Sequence, residues 1–240
     1  MINAIEIKNI TKEYKTFKLD NVSFNVEEGH IVGFIGRNGA GKTTTIKSIL
    51  NIVKANSGNV KFFNLELKDH ENIIKNQIGY SNGTTNYYPR KKLIDIINVT
   101  KTFYENWDDR IMNEYKDLFQ LDLSKTPSEL SEGMKVKFNL LLALSHHAKV
   151  LILDEPTSGL DPFSRDEILE VFIELKKRGT AILFSTHITS DLEKCADDIV
   201  YISGGKIVSS CSKEDFIKKH KSNNETLENI ILRLEREKHD

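Results

Sequence analysis

Residues 36–44 read G-R-N-G-A-G-K-T-T. Before them stands an unbroken apolar run, Ile31-Val32-Gly33-Phe34-Ile35; after them Ile46, Ile49, Leu50 and Val53 recur at helical spacing. The stretch therefore joins a buried strand to a helix. That is the context a phosphate-binding loop requires, because backbone N–H groups wrap around phosphate oxygens and the positive end of the helix dipole adds charge. Gly36, Arg37, Asn38, Gly39, Ala40 and Gly41 supply the wrap. Lys42 is expected to reach β- and γ-phosphates, Thr43 to place its hydroxyl on Mg²⁺, and Thr44 to add an α-phosphate contact. A loop that merely turned the chain would not match the whole pattern in this setting.

The chain around it has 240 residues, enough for one large domain with a subdomain. With 34 basic and 35 acidic residues the formal charge is −1, which gives no overall pull toward nucleic acid or anionic lipid. No apolar run approaches the roughly 20 residues that span a bilayer, so a membrane role is expected to run through a partner. The N-terminus, M-I-N-A-I-E-I-K, carries charge where a signal peptide needs its apolar segment, and a cytoplasmic chain is expected. Cys195 and Cys211 lack metal-ligand spacing and read as free thiols.

Alternation over residues 4–10 and 22–26 predicts two half-buried strands at an antiparallel edge, ahead of a turn at Glu27-Glu28-Gly29. Tyr14 lies between them, with Phe17 as a competitor: either ring stacks on a purine or packs on the small sheet. Residues 58–63 and 77–80 read as short strands. From Lys91 to His147 the periodicity turns helical, predicting an insertion of about residues 86–147 whose last helix opens near Ser131. Val150-Leu151-Ile152-Leu153-Asp154-Glu155 then reads as a central parallel strand whose carboxyl end opens on a ligand crevice. Asp161-Pro162 starts a helix, residues 180–185 form another buried strand, and residues 199–209 form a hairpin turning at Gly204-Gly205. In the charged tail, residues 213–240, Leu227, Ile230, Ile231 and Leu234 make a narrow apolar stripe that lies on its own domain or on another subunit.

Two adjacent acids at a strand end can divide the work of nucleotide hydrolysis. Asp154 would anchor Mg²⁺ opposite Thr43, and Glu155, pointing differently, would polarise an attacking water as general base. His187, at the exit of the neighbouring strand, can bond the γ-phosphate or position the water and Glu155.

These motifs resemble the ATP-binding subunits of ABC transporters: the phosphate loop, L-S-E-G-M at residues 130–134, V-L-I-L-D-E-P at 150–156, S-G-L-D at 158–161 and S-T-H at 185–187, in the family's order over residues 1 to about 210. The resemblance implies an α/β P-loop NTPase fold with a mostly parallel sheet, an N-terminal antiparallel β-subdomain and a helical insertion. It implies an ATPase using ATP and Mg²⁺, the motor of a transporter whose membrane subunit is a separate chain, placed on the inner face of the cell membrane. It implies that two such domains, identical or related, pair head to tail, with ATP between the phosphate loop of one and Ser131 and Gly133 of the other. Asp161 would lie at the subunit boundary, and Tyr14 would fall near the adenine. Two departures stand out. Glu132 and Met134 replace the first glycine and the glutamine of the usual L-S-G-G-Q. The glutamine that commonly follows the strand at Ile78-Gly79-Tyr80 is missing, its register falling on Gly83, followed by Thr84 and Thr85. These features are similar to an exporter branch that includes peptide-export and antibiotic-resistance systems. The rival readings are a non-transport ABC ATPase acting on nucleic acid or ribosomes, and a subunit that senses ATP without turnover; the balanced charge leads us to expect no nucleic acid.

Overall fold

A computed structural model describes residues 2–82, 88–222 and 225–237. The chain runs β1 (Asn3–Glu13), β2 (Lys18–Glu27), β3 (Ile31–Ile35), α1 (Lys42–Ile49), β4 (Ser57–Phe62), β5 (Leu65–Glu66), α2 (Leu67–Lys75), β6 (Ile78–Ser81), α3 (Leu93–Lys101), α4 (Asp109–Leu118), α5 (Glu132–Leu144), β7 (Val150–Asp154), α6 (Pro162–Lys177), β8 (Ala181–Thr186), α7 (Thr189–Cys195), β9 (Asp198–Ser203), β10 (Lys206–Ser212), α8 (Lys213–His220) and α9 (Leu227–Arg236). Strands β1, β2, β4 and β5 form an antiparallel sheet in the order β2-β1-β4-β5. The main sheet has the order β10-β9-β3-β8-β7-β6, parallel except for the β9–β10 hairpin. The first two strands are longer than alternation alone indicated, because irregularities in their shared ladder let pairing continue past each break in the pattern.

Burial on both faces explains the near-continuous apolar strands of the main sheet. Leu151 and Leu153 of β7 face a core shared with α3 to α9; Val150 and Ile152 face one shared with α1 and the antiparallel sheet. The helical insertion is thus anchored in the same core as the sheet. Its root is closed by His146, only 2 % exposed, whose ring stacks on Tyr104 at 3.8 Å. The tail forms two helices, and its apolar stripe lies on its own domain: Leu227, Ile230 and Ile231 are buried in that first core, with Leu234 packed against it and Phe216 of α8 buried beside them. No helix among the described residues is long and apolar enough to cross a membrane.

The two sheets are tied at the Gly204-Gly205 turn, where both residues have positive φ as a two-residue hairpin with right-handed strand twist requires. The Gly205 carbonyl accepts from the Asp20 N–H of β2 at 2.9 Å, and the Gly205 N–H donates to the Ala40 carbonyl at 3.0 Å. A Cβ at Gly205 would stand 1.9 Å from the Lys18 carbonyl oxygen, so only glycine allows this approach.

Burial holds the His146 imidazole neutral, lowering its pKa from 6.5 to about 4. Between those values the unfolded chain binds a proton that the folded chain does not, so this contribution is complete above pH 6.5 and is lost as pH falls through about 4. The group is expected to cost about 2 kcal/mol of stability between pH 7.5 and 5. His146→Phe, which keeps a ring against Tyr104 but cannot titrate, should remove that increment; urea unfolding midpoints of both proteins at the two pH values check it.

Candidate functional site

Parallel pairing fixes which side chains meet. Ile35 of β3 is level with Thr186 of β8, and Asp154 of β7 with Ser185 of β8, so three strands deliver their carboxyl ends to one edge of the sheet. The phosphate loop leaves β3 there and enters α1 through Gly41, which caps the helix at φ 114°. A Cβ at that position would be both strained and pressed within 2.9 Å of Phe17 and Leu19.

Lys42, on the first turn of α1, is 5 % exposed. Its ammonium donates to the Gly36 carbonyl at 2.7 Å and pairs with Glu155 Oε1 at 3.1 Å. The other Glu155 oxygen, Oε2, meets His187 Nδ1 at 2.7 Å. With Nδ1 protonated, the imidazole donates to the carboxylate and keeps Nε2 for a second partner. Glu155 bridges a cation and an imidazole because its backbone turns at φ 53°, a left-handed conformation costly for a side-chain-bearing residue. This turn points the two adjacent acids in different directions. Asp154 stays buried, accepting from the Ser185 hydroxyl at 2.5 Å, while the same Ser185 oxygen accepts the Glu155 N–H at 3.0 Å. Tyr80, at the end of β6, has its phenol pKa raised, chiefly by burial and secondarily by the charge of Asp154.

The donor set suits a nucleotide with its Mg²⁺. Thr45 spends its hydroxyl on the Gly41 carbonyl at 2.9 Å, whereas Thr43, two residues earlier, is exposed at the helix end, and Asp154 provides a buried hard oxygen at the same edge of the sheet. Thr43 and Asp154 would hold the metal, which would supply charge neutralisation at the β- and γ-phosphates. Backbone donors at the amino end of α1 and the Lys42 ammonium would provide for the phosphates.

Other sequence-predicted positions lie apart. Ser131 caps α5, accepting from the Met134 N–H at 3.3 Å, and Asp161 caps α6, accepting from the Phe163 and Ser164 N–H groups at 3.0 and 3.1 Å. These caps sit side by side, since a Cβ on Gly133 would stand 3.0 Å from the Ser164 side chain. The bonds that cap α5 and α6 thus stay within each helix's own first turn. Tyr14 is 48 % exposed, with the Lys12 ammonium over its ring at 5.4 Å, whereas the Phe17 ring stands against Gly41. Gly83, Thr84 and Thr85 lie outside the described residues; Gln77 is at the opposite end of the sheet, its carbonyl accepting from Lys149 and Val150.

Two contributors were not visible as such in the sequence. Ser185 serves both acids. Asp191, fully buried on α7, accepts from Thr157 at 2.6 Å and from Thr186 at 3.4 Å, tying the segment after β7 to the end of β8. Burial raises the Asp191 pKa, against the lowering effect of those hydroxyls.

A glycine-rich loop between strand and helix, with a buried lysine, two divergent acids and a histidine at one sheet edge, defines a P-loop nucleotide hydrolase. Comparison with known proteins places it more closely. The ABC transporter family model matches residues 19–158. The ABC transporter ATP-binding protein YtrB of Bacillus subtilis is 31 % identical over 222 residues, covering 89 % of this chain and 75 % of that protein. The bacitracin transport ATP-binding protein BcrA of Bacillus licheniformis is 34 % identical over 214 residues, covering 87 % and 69 %. Among solved structures, an ATP-binding subunit of an ABC transporter superposes with a TM-score of 0.87 at 28 % identity over 97 % of this chain and 99 % of that one. A nucleotide-free ATP-binding cassette gives 0.77 at 24 % over 91 % and 94 %. The chain belongs to the ABC transporter ATP-binding family: it is an ATP-hydrolysing, Mg²⁺-using transporter subunit. Pairing of ATP-binding chains and association with a membrane subunit are typical of this family.

His187→Ala removes the imidazole that holds Glu155 Oε2 while leaving the phosphate loop intact. It is expected to lower kcat for ATP roughly 100-fold or more, with KM changed by no more than about threefold. Steady-state phosphate release checks both values.

Proposed function

We propose that this chain is the motor of a membrane exporter, working as a head-to-tail pair on the cytoplasmic face of the membrane and joined there to a separate membrane-embedded subunit. In this reading residues 1–212 form the ATP-binding domain, residues 86–147 its helical insertion and residues 213–240 its tail. The observation that carries the catalytic part is the contact chain from Lys42 through Glu155 to His187. Such a chain holds a carboxylate beside both a phosphate-seeking cation and an imidazole.

Each residue then has a task. Lys42 exchanges Glu155 for the β- and γ-phosphates, and the released carboxylate takes the proton of the attacking water. His187 holds Glu155 in line and offers Nε2 to the γ-phosphate. Ser131 and Gly133, at the amino end of α5, face the γ-phosphate of the second copy. Asp161 holds the adjoining cap at the pair's boundary. Phe17, against Gly41, is better placed than Tyr14 to stack on the adenine. In the exchange at Lys42 the chain couples nucleotide occupancy to closure of the pair, and closure to movement of the membrane subunit.

Relatives are named for bacitracin or lantibiotic transport, the latter 32 % identical over 206 residues. Peptide-like compounds are accordingly the substrate class we favour.

The test is recovery of the native complex. A tagged chain extracted from its own membranes in mild detergent is expected to bring down a polytopic membrane protein, identified by mass spectrometry. Recovery with ribosomal or nucleic-acid-bound proteins alone, and no chain in the membrane fraction, would contradict the exporter reading.

A further inference from the structure

Phe163 is 83 % exposed, the most exposed large apolar side chain among the described residues. Its N–H donates to Asp161 Oδ1 at 3.0 Å and it sits on the first turn of α6, so the backbone that presents the ring is fixed by the helix cap. A single exposed aromatic is not by itself a contact surface; what matters here is where its helix start carries it.

The same chain carries a receptor for it. A cleft of about 870 Å³ runs between the start of the phosphate loop and α9, lined by Arg37, His187, Ile188, Ile231, Leu232 and Arg236. The stripe that α9 turns inward is buried, and Glu235 is tied down by the Tyr201 hydroxyl at 2.6 Å, yet Leu232 remains 47 % exposed at the cleft. Glu228 also borders it.

We propose that Phe163 of one copy inserts into the cleft between the phosphate loop and α9 of a second copy, reciprocally about a two-fold axis; this rests on the head-to-tail pairing proposed above. The link is internal to the chain. Gly133 packs on Ser164, the residue after Phe163, so whatever brings Ser131 and Gly133 to a partner's phosphate loop carries Phe163 to the cleft that begins at Gly36 and Arg37 of that loop. The cleft lining carries Arg37 and Arg236 but also Glu228 and Glu235, so the contact rests on the apolar fit of the ring and not on charge. A two-fold axis makes one aromatic and one cleft per chain sufficient for two contacts per pair. The tail helix thereby becomes half of a dimer socket, which distinguishes it from a helix that only covers its own domain.

Sedimentation velocity of the full chain decides the matter. In the Glu155→Gln background, which retains the phosphate loop but lacks the base that would consume bound ATP, saturating Mg-ATP is expected to give dimers. Adding Phe163→Ala, or Leu232→Asp, should weaken dimerisation tenfold or more, as loss of a central aromatic anchor does. Binding of a fluorescent ATP analogue to the monomer and the circular dichroism spectrum should be unchanged. Dimers that form equally well with both substitutions would overturn the proposal and leave the cleft to another occupant, such as the membrane subunit. If the Glu155→Gln chain stays monomeric at saturating Mg-ATP, the head-to-tail pairing of identical chains fails first, and the Phe163 contact with it.

Discussion

A buried ammonium sets the terms for this structure. Lys42 is almost sealed from water, and a charge so placed must be matched by oxygens. The match comes from the Gly36 carbonyl and Glu155. Both partners are of the kind that a nucleotide can displace. In the function proposed above, the loop is held in shape by a carboxylate that a nucleotide would displace, and that carboxylate is held by the lysine it would release.

The rest of the fold keeps those groups in register. Parallel pairing of β3, β8 and β7 levels the loop, Ser185 and Asp154 to within a residue, and Ser185 serves both adjacent acids. Asp191 stitches the segments leaving β7 and β8 from beneath. The helical insertion shares its core with the same sheet, so the cap at Ser131 is placed relative to the sheet by packing. On the other side, the Gly204-Gly205 turn fixes the antiparallel sheet to the loop at Ala40, bringing the Phe17 ring against Gly41.

Much of this was readable from local pattern. The strand-loop-helix context of the phosphate loop, the two-faced apolar strands, the helical insertion, the hairpin at Gly204-Gly205 and the helix starts at Ser131 and Asp161 each depend on residues a few positions apart. What was hidden depends on distant partners. Tyr14 and Phe17 are three residues apart on one turn, and only the docking of that turn on Gly41 separates them. Asp191 looks like a surface acid on a short helix; its burial follows from two loops closing over it. The destination of the tail stripe rests on the shape of the core it meets. The φ of 53° that parts Glu155 from Asp154 leaves no mark in the composition of the strand.

The most direct test of the central claim is the Mg²⁺-dependent ATPase rate of the wild-type chain against Glu155→Gln, with nucleotide affinity measured alongside. If Glu155 is the base that Lys42 restrains, turnover falls by at least about 100-fold while ATP binds as well or more tightly, because the lysine has lost its internal competitor. Equal rates in the two proteins, or a Glu155→Gln chain that no longer binds ATP, would contradict the account.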